Sequence, residues 1–326
     1  MKLLIHQSSL RRVEVPLRQV GIPLEMYVTG DDGITRFDGQ EVANSAIDPE
    51  AIWLSLDVWE KKHMAPFITA ALSALALKWV QTFNAGMDSP IFKQIFDRGV
   101  RMSASSAQSI SIAEFVLAQV VAEWHPQAQY RDAQRAHEWK RIRFRELSET
   151  QWLIIGYGNI GREVARRAHG FGAKVIGARR SAGLDEFAER VVTLADVPAL
   201  LPCADIVVLA CALNDETRDL ANAGFFAAMK TDSVLVNIGR GGLVDEVALV
   251  GALAADRPRL AILDVFREEP LPKESALWDH PKIRVSAHTS SAGSGAQARG
   301  DRLFLDNLAR YLRGGALLNE VNEKSF

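Results

Sequence analysis

Trp152-Leu153-Ile154-Ile155-Gly156-Tyr157-Gly158-Asn159-Ile160-Gly161 sets an apolar run against a G-x-G-x-x-G pattern, and Arg162 to His169 beyond it reads as a helix. Strand, glycine turn and helix in this order form the unit whose helix amino terminus receives an anion. The glycines have separate tasks. Gly156 permits a tight turn, Gly158 lets backbone approach a pyrophosphate, and Gly161 allows close helix-on-strand packing. Asn159 and Ile160 complete the turn and belong to the same candidate cofactor site. A bare pattern of this kind also describes an ordinary glycine-rich turn; the flanking strand and helix are what point to a nicotinamide or flavin dinucleotide.

The next strand, Lys174 to Ala178, bears on which dinucleotide. An NAD site usually carries Asp or Glu about 20 residues past the first glycines, to bond the ribose 2′-hydroxyl. That place holds Arg179, followed by Arg180 and Ser181. Two guanidinium groups and a hydroxyl suit a 2′-phosphate. NADP(H) is therefore the preferred cofactor and NAD(H) the alternative. Two other readings stand beside this one: the arginines are solvated charges at a strand end, or Asp185 and Glu186 favour NAD because the loop folds back.

The chain has 326 residues, 48% of them hydrophobic, and a formal charge of −2. That length allows about two domains with real cores. The charge balance offers nothing to nucleic acid or to an anionic membrane, which leaves small molecules as partners. Leu3-Leu4-Ile5 is the only apolar run before His6 in the first twelve residues, so a cytoplasmic protein is expected. Cys203 and Cys211 bracket Ala204 to Ala210; an extended run of that length spans about 26 Å, beyond disulfide reach. Both are expected to be free, buried thiols, and no metal site is expected.

About 150 residues precede the glycine turn, enough for a separate lobe. Strand-like runs at Leu3 to His6, Pro23 to Val28, Ala51 to Leu56, Lys78 to Phe83 and Val100 to Met102 predict a smaller parallel sheet. Ser109 to Arg135 favours helix, with a break or kink at Pro126. Past the turn, strand-like runs at Lys174 to Ala178, Asp205 to Cys211, Ser233 to Asn237, Leu260 to Leu263 and Ile283 to Ser286 alternate with helical stretches. This is a doubly wound pattern. The expected fold is α/β and two-lobed: a Rossmann cofactor domain, 106–292, with a flavodoxin-like substrate domain from 1–105 and 293–326. Leu303 to Leu312 forms the last helix, stopped at Gly314-Gly315.

In such a sheet ligands bind outside the carboxyl ends of the strands. Cys211 and Ile238, at strand ends, join the cofactor-binding set. Ser233 to Asn237 leads to Arg240 within Gly239-Arg240-Gly241-Gly242, Leu260 to Leu263 to Asp264 and then Glu269, and Ile283 to Ser286 to His288. Taken singly, Arg240 is a surface charge, Glu269 a loop carboxylate and His288 a loop histidine. Together they supply a guanidinium for a substrate carboxylate, an imidazole for proton transfer, and a carboxylate to orient and charge that imidazole.

At these residues the sequence resembles the D-isomer-specific 2-hydroxyacid dehydrogenase family. The resemblance is carried by Gly156 to Gly161, by Asn237-Ile238-Gly239-Arg240-Gly241 with Val244-Asp245-Glu246, by Leu263-Asp264-Val265-Phe266 leading to Glu269-Pro270, and by His288. It implies catalytic roles for Arg240, Glu269 and His288, places Asp264 near the nicotinamide, and implies a homodimer through the cofactor lobe. It also implies that Asn84-Ala85-Gly86 is a substrate loop, whose backbone N–H groups at Ala85 and Gly86 suit a carboxylate, the other reading being a plain turn before Met87-Asp88; Arg240 belongs to the same substrate-binding set. Trp53, Trp139 and Trp278 are expected to pack in the core or an interface rather than line the site. Ala212, where the family often has Pro, and Thr289-Ser290-Ser291 depart from its pattern. The function implied is reduction of a small 2-oxo acid, glyoxylate or hydroxypyruvate in type. Formate dehydrogenases share the fold but lack the counterpart of Glu269, whereas a phosphite dehydrogenase or a non-catalytic dinucleotide-sensing scaffold fits the same architecture.

Overall fold

The computed structural model describes residues 1–19 and 21–326. The chain forms two compact units, Met1–Gln108 with Ser294–Phe326, and Ser109–Gly293. The first unit runs β1 Lys2–His6, α1 Gln7–Arg18, β2 Glu25–Thr29, β3 Thr35–Phe37, β4 Gln40–Glu41, β5 Ala51–Leu54, α2 Leu56–Glu60, α3 Met64–Ser73, β6 Trp79–Thr82, α4 Pro90–Asp97 and β7 Arg101–Ser103. Its sheet has the order β4-β3-β2-β1-β5-β6-β7. The strands β2-β1-β5-β6-β7 are parallel and follow the flavodoxin order.

The expectation of a purely parallel sheet is corrected at one edge. There β3 runs antiparallel to β2, and β4 antiparallel to β3. The causes are local: the turn Gly30-Asp31-Asp32-Gly33, with Gly33 at φ +78°, folds β3 back on β2, and Asp38 at φ +50° with Gly39 at φ +79° forms a two-residue hairpin turn of the Asp-Gly kind between β3 and β4.

The second unit runs α5 Ser109–Trp124, α6 Gln127–Arg135, β8 Gln151–Ile155, α7 Asn159–Gly170, β9 Lys174–Ala178, β10 Gly183–Asp185, β11 Ala188–Val192, α8 Val197–Leu200, β12 Ile206–Leu209, α9 Ala223–Ala228, β13 Val234–Asn237, α10 Glu246–Leu253, β14 Leu260–Leu263 and β15 Ile283–Val285. The helical stretch breaks at His125-Pro126, where the ring cannot donate a helical hydrogen bond. The sheet order is β10-β11-β9-β8-β12-β13-β14-β15, parallel except for β10. Without β10 and β15 this is the Rossmann order.

Strands buried on both faces read as continuous apolar runs. In β8 successive side chains alternate between two layers. Trp152 and Ile154 pack with Val116, Val120, Val164 and Ala168 on one side. Leu153 and Ile155 pack with Val197, Leu201, Phe226 and Leu249 on the other. The hairpin β10–β11, absent from the sequence expectation, extends the edge beside β9.

The last helix, α11 Ala296–Leu312, begins well before the expected Leu303 and belongs to the first unit. Phe304 is fully buried and stacks on Trp53, with centroids 4.0 Å apart and planes 3° apart. Gly314, at φ +66°, ends the helix as its N–H donates to the Tyr311 carbonyl at 2.9 Å. Among the described residues no helix is long and apolar enough to cross a membrane.

Candidate active site

The glycine turn sits where the strand order reverses, between β8 and β12. A Cβ on Gly156, whose φ is +100°, would lie 2.2 Å from the Cys211 nitrogen, just past the end of β12. One on Gly161 would lie 2.3 Å from the Gly156 carbonyl oxygen. No side chain fits at either place, so backbone packing within the protein explains both glycines. Gly158 is different: at φ −99° and ψ −155° its backbone suits any residue, and a Cβ there would meet no protein atom within 4 Å. A dinucleotide pyrophosphate approaching the exposed amino terminus of α7 gives that glycine a reason. The residues present therefore fit the cofactor.

Asn159 opens α7 in an exposed position, and Ile160 is half-buried against the second unit's core. Arg179, Arg180 and Ser181 follow β9 and are all exposed; the Arg179 Nε donates to the Ser181 carbonyl at 2.9 Å. Cys211 is half-buried, and burial pushes its thiol up to about 11, which keeps it neutral. Ile238 is 6% exposed. Cys203, expected to be buried, is exposed, because the turn Leu201–Cys203 lies before β12 rather than inside it.

Arg240 ends the turn that follows β13. Asn237 shapes that turn: its Oδ1 accepts from Gly239 N–H at 3.1 Å and its Nδ2 donates to the Arg240 carbonyl at 2.9 Å. A Cβ on Gly241 would stand 1.8 Å from the Phe266 carbonyl carbon, so only glycine lets this turn lie against the loop after β14. That loop carries Glu269. Its Oε1 accepts from Phe266 N–H at 3.0 Å and its Oε2 stands 2.8 Å from His288 Nδ1. Both side chains are partly exposed, at 35% for Glu269 and 46% for His288.

His288 holds a left-handed backbone, φ +49°, which costs free energy and persists only when its surroundings impose it. Asp264 imposes it. The Asp264 carbonyl accepts from His288 N–H at 2.8 Å. Its carboxylate, fully buried, accepts from Ser286 Oγ at 2.6 Å, Thr289 N–H at 2.9 Å and Ser290 N–H at 3.0 Å. Asp264 thus acts on the loop that presents His288. The sequence marked Asp264 and Arg240 but missed Ser286, which bonds the first, and Asn237, which shapes the turn of the second; their polar side chains at strand ends were the available signal.

In the first unit, Asn84, Ala85 and Gly86 follow β6, and the Asn84 carbonyl accepts from Ser105 N–H at 2.7 Å and Thr82 Oγ1 at 3.2 Å. Trp53 is a core residue, 3% exposed. Trp139 and Trp278, expected in the core or an interface, are exposed in the single chain and so lie outside its core. Among the described residues no group of three or more His, Cys, Asp or Glu is placed to hold a metal.

The sequence model of the D-isomer specific 2-hydroxyacid dehydrogenase NAD binding domain matches residues 117–290. D-3-phosphoglycerate dehydrogenase of Methanocaldococcus jannaschii is 32% identical over 250 residues, which is 76% of this chain and 48% of that protein. The chain spans about half the length, or less, of the first curated relatives it matches. Among solved structures, a D-isomer specific 2-hydroxyacid dehydrogenase from Xanthobacter autotrophicus Py2 in complex with NADPH and MES is 25% identical, with TM-score 0.75 and coverage of 100% of both chains. An NADPH-dependent glyoxylate/hydroxypyruvate reductase from Sinorhizobium meliloti in complex with NADP and sulfate is 25% identical, with TM-score 0.73 and coverage of 99% of this chain and 98% of that one. With the second unit matched by the family's NAD binding domain and the whole chain following the fold of these enzymes, the protein belongs to the D-isomer-specific 2-hydroxyacid dehydrogenase family.

Proposed function

We propose that the protein is an NADP(H)-preferring reductase that interconverts a small 2-oxo acid with its D-2-hydroxy acid, in the manner of glyoxylate or hydroxypyruvate reductases. The observation that carries this reading is the 2.8 Å contact of Glu269 Oε2 with His288 Nδ1, at the carboxyl edge of a dinucleotide-type sheet. When bound, the cofactor supplies or accepts the hydride at its nicotinamide ring. Because Glu269 engages Nδ1, Nε2 is the ring nitrogen that delivers a proton to the carbonyl oxygen during reduction and takes it back during oxidation. Arg240 binds the substrate carboxylate and stabilises the charge that develops on the oxygen. Arg179, Arg180 and Ser181 hold the 2′-phosphate. The first unit selects the substrate side chain through Asn84, Ala85 and Gly86, and the working form is a cytoplasmic homodimer. A phosphorylated acid is disfavoured, since residues 81–90 contain no Lys or Arg.

The test is a panel of 2-oxo acids and phosphite with NADPH, NADH and their oxidised forms, followed by cofactor absorbance. Glyoxylate or hydroxypyruvate should oxidise NADPH faster than NADH. Replacing Arg179 and Arg180 together by neutral residues should weaken NADPH by about 30-fold and spare NADH, as the loss of charge-assisted hydrogen bonds to one phosphate. Turnover of phosphite alone would assign the phosphite reaction instead. Tight dinucleotide binding with no turnover of anything on the panel would make the protein a scaffold.

A further inference from the structure

Asp185 and Glu186 pose a problem for an NADP site. They lie in the hairpin that follows Arg179-Arg180-Ser181, and a carboxylate near a 2′-phosphate repels it. The hairpin does fold back. Asp185 is the last residue of β10, and Tyr157, between two glycines of the turn, reaches it: the Tyr157 hydroxyl donates to Asp185 Oδ1 at 2.9 Å. The Tyr157 ring packs against β9, where a Cβ on Gly177 would stand 2.2 Å from Tyr157 Cδ2. Phe187 N–H donates to the same Asp185 oxygen at 3.0 Å.

Arg162, the first residue after Gly161, completes the arrangement. Its Nε donates to Asp185 Oδ2 at 2.7 Å and its Nη2 to Glu186 Oε1 at 2.6 Å, while the guanidinium lies 4.7 Å from the centre of the Phe187 ring. One planar cation therefore bridges both acids. Asp185 has three donors on its two oxygens, so most of its acceptor capacity is taken up within the protein. Arg179 belongs to the same patch: its Nη2 stands 2.8 Å from the place of a Cβ on Gly183, the first residue of β10, and Arg180 follows it in the chain. Burial and the bond to Asp185 hold the Tyr157 phenol above its ordinary value, so it stays a donor, and the charge of Arg179 acts on it in the opposite sense.

We infer that Arg162 is a cofactor-specificity residue: by binding Asp185 and Glu186 it cancels the acidic charge that would otherwise repel a 2′-phosphate from Arg179, Arg180 and Ser181. The inference rests on the NADP reading given above. Removal of Arg162 leaves two cations, Arg179 and Arg180, against two anions: Glu186 loses its ion pair, and Asp185 keeps the Tyr157 and Phe187 donors but no cation.

The experiment measures binding of adenosine fragments by titration calorimetry at low salt, without any turnover. Adenosine 2′,5′-bisphosphate reports the phosphate site and adenosine 5′-monophosphate the rest. The wild-type protein should prefer the bisphosphate. Arg162→Gln should reduce that preference on the order of tenfold while changing monophosphate affinity by about twofold at most. Adding Asp185→Asn and Glu186→Gln to Arg162→Gln should restore it, and Arg162→Lys, which keeps the charge, should retain most of it. A preference that survives in Arg162→Gln overturns the inference and leaves the NADP reading standing. A triple variant as poor as the single one also overturns it, because Arg162 would then be a mechanical clamp. A wild-type preference near one overturns the NADP reading and this inference with it.

Discussion

His288 is the residue at which backbone, hydrogen bonding and chemistry meet. Its φ of +49° is tolerated by Asn as well as His, so His288→Asn keeps the loop that Asp264 organises while removing the ring. Turnover should fall about 10²–10⁴-fold, the usual share of general acid catalysis, with dinucleotide binding nearly unchanged. Glu269→Gln tests the partner. The amide's single oxygen still accepts from Phe266 N–H, which leaves an NH2 donor facing Nδ1 in place of a charged acceptor, so turnover should fall with the loop intact. Steady-state kinetics beside a dinucleotide titration decide the matter: wild-type turnover in the Asn variant, with chemistry rate-limiting, would remove His288 from the mechanism.

At the scale of elements, the strand-end loops determine what the site can be, and their glycines separate packing from ligand approach. Gly241→Ala forces a methyl into the Phe266 backbone. It should cost about 1–3 kcal/mol as overpacking and lower turnover, because the loops carrying Arg240 and Glu269 move apart. Gly158→Ala meets no protein atom. It should stay within about 1 kcal/mol of wild type yet weaken the dinucleotide. Thermal unfolding with a cofactor titration tests both; equal loss of stability in the two variants would contradict this division. Much of the element level was legible in the sequence because its signals are local: the glycine turn, Pro126, and strands buried on both faces. Asp38-Gly39 was an equally local signal, but strands as short as Thr35–Phe37 and Gln40–Glu41 show no periodicity. The fold-back of β10 toward Tyr157 and Arg162, and the grip of Asp264 on Thr289 and Ser290, are tertiary. No spacing announces them.

For the molecule as a whole, each unit has an ion-paired carboxylate beneath its surface. Burial alone would raise the Asp57 carboxyl, but hydrogen bonds from Arg12 and Ser9 and the Arg12 charge bring it below its ordinary value. Asp205 follows the same course, with burial opposed by Arg145, Lys230 and the Gln151 N–H. A carboxyl lowered in the folded state stabilises the fold fully above its unfolded value and loses that contribution as pH falls through the folded one. The ordinary value is 3.8, so the melting temperature should hold down to that region and drop below it. Asp205→Asn should melt lower at neutral pH, since Arg145 and Lys230 lose their partner, and should show a shallower acid decline. Calorimetry across pH would show this; an unchanged acid slope would assign the decline to other groups.

The first unit is discontinuous, and this has a consequence for synthesis. Residues 294–326 supply Phe304, Leu308 and Leu317 to a core otherwise built from β1, α1, β5 and β6. A nascent chain thus exposes the apolar surfaces of Trp53 and Trp79 throughout translation of the entire second unit. Folding during synthesis usually proceeds from the amino terminus; here the part made first is finished last. A polypeptide released at Gly293 should hold a protease-resistant second unit beside a protease-sensitive first one, and adding back residues 294–326 as a peptide should restore protection. Until that segment emerges from the ribosome, the first third of the chain keeps an uncovered apolar surface of the kind a chaperone binds.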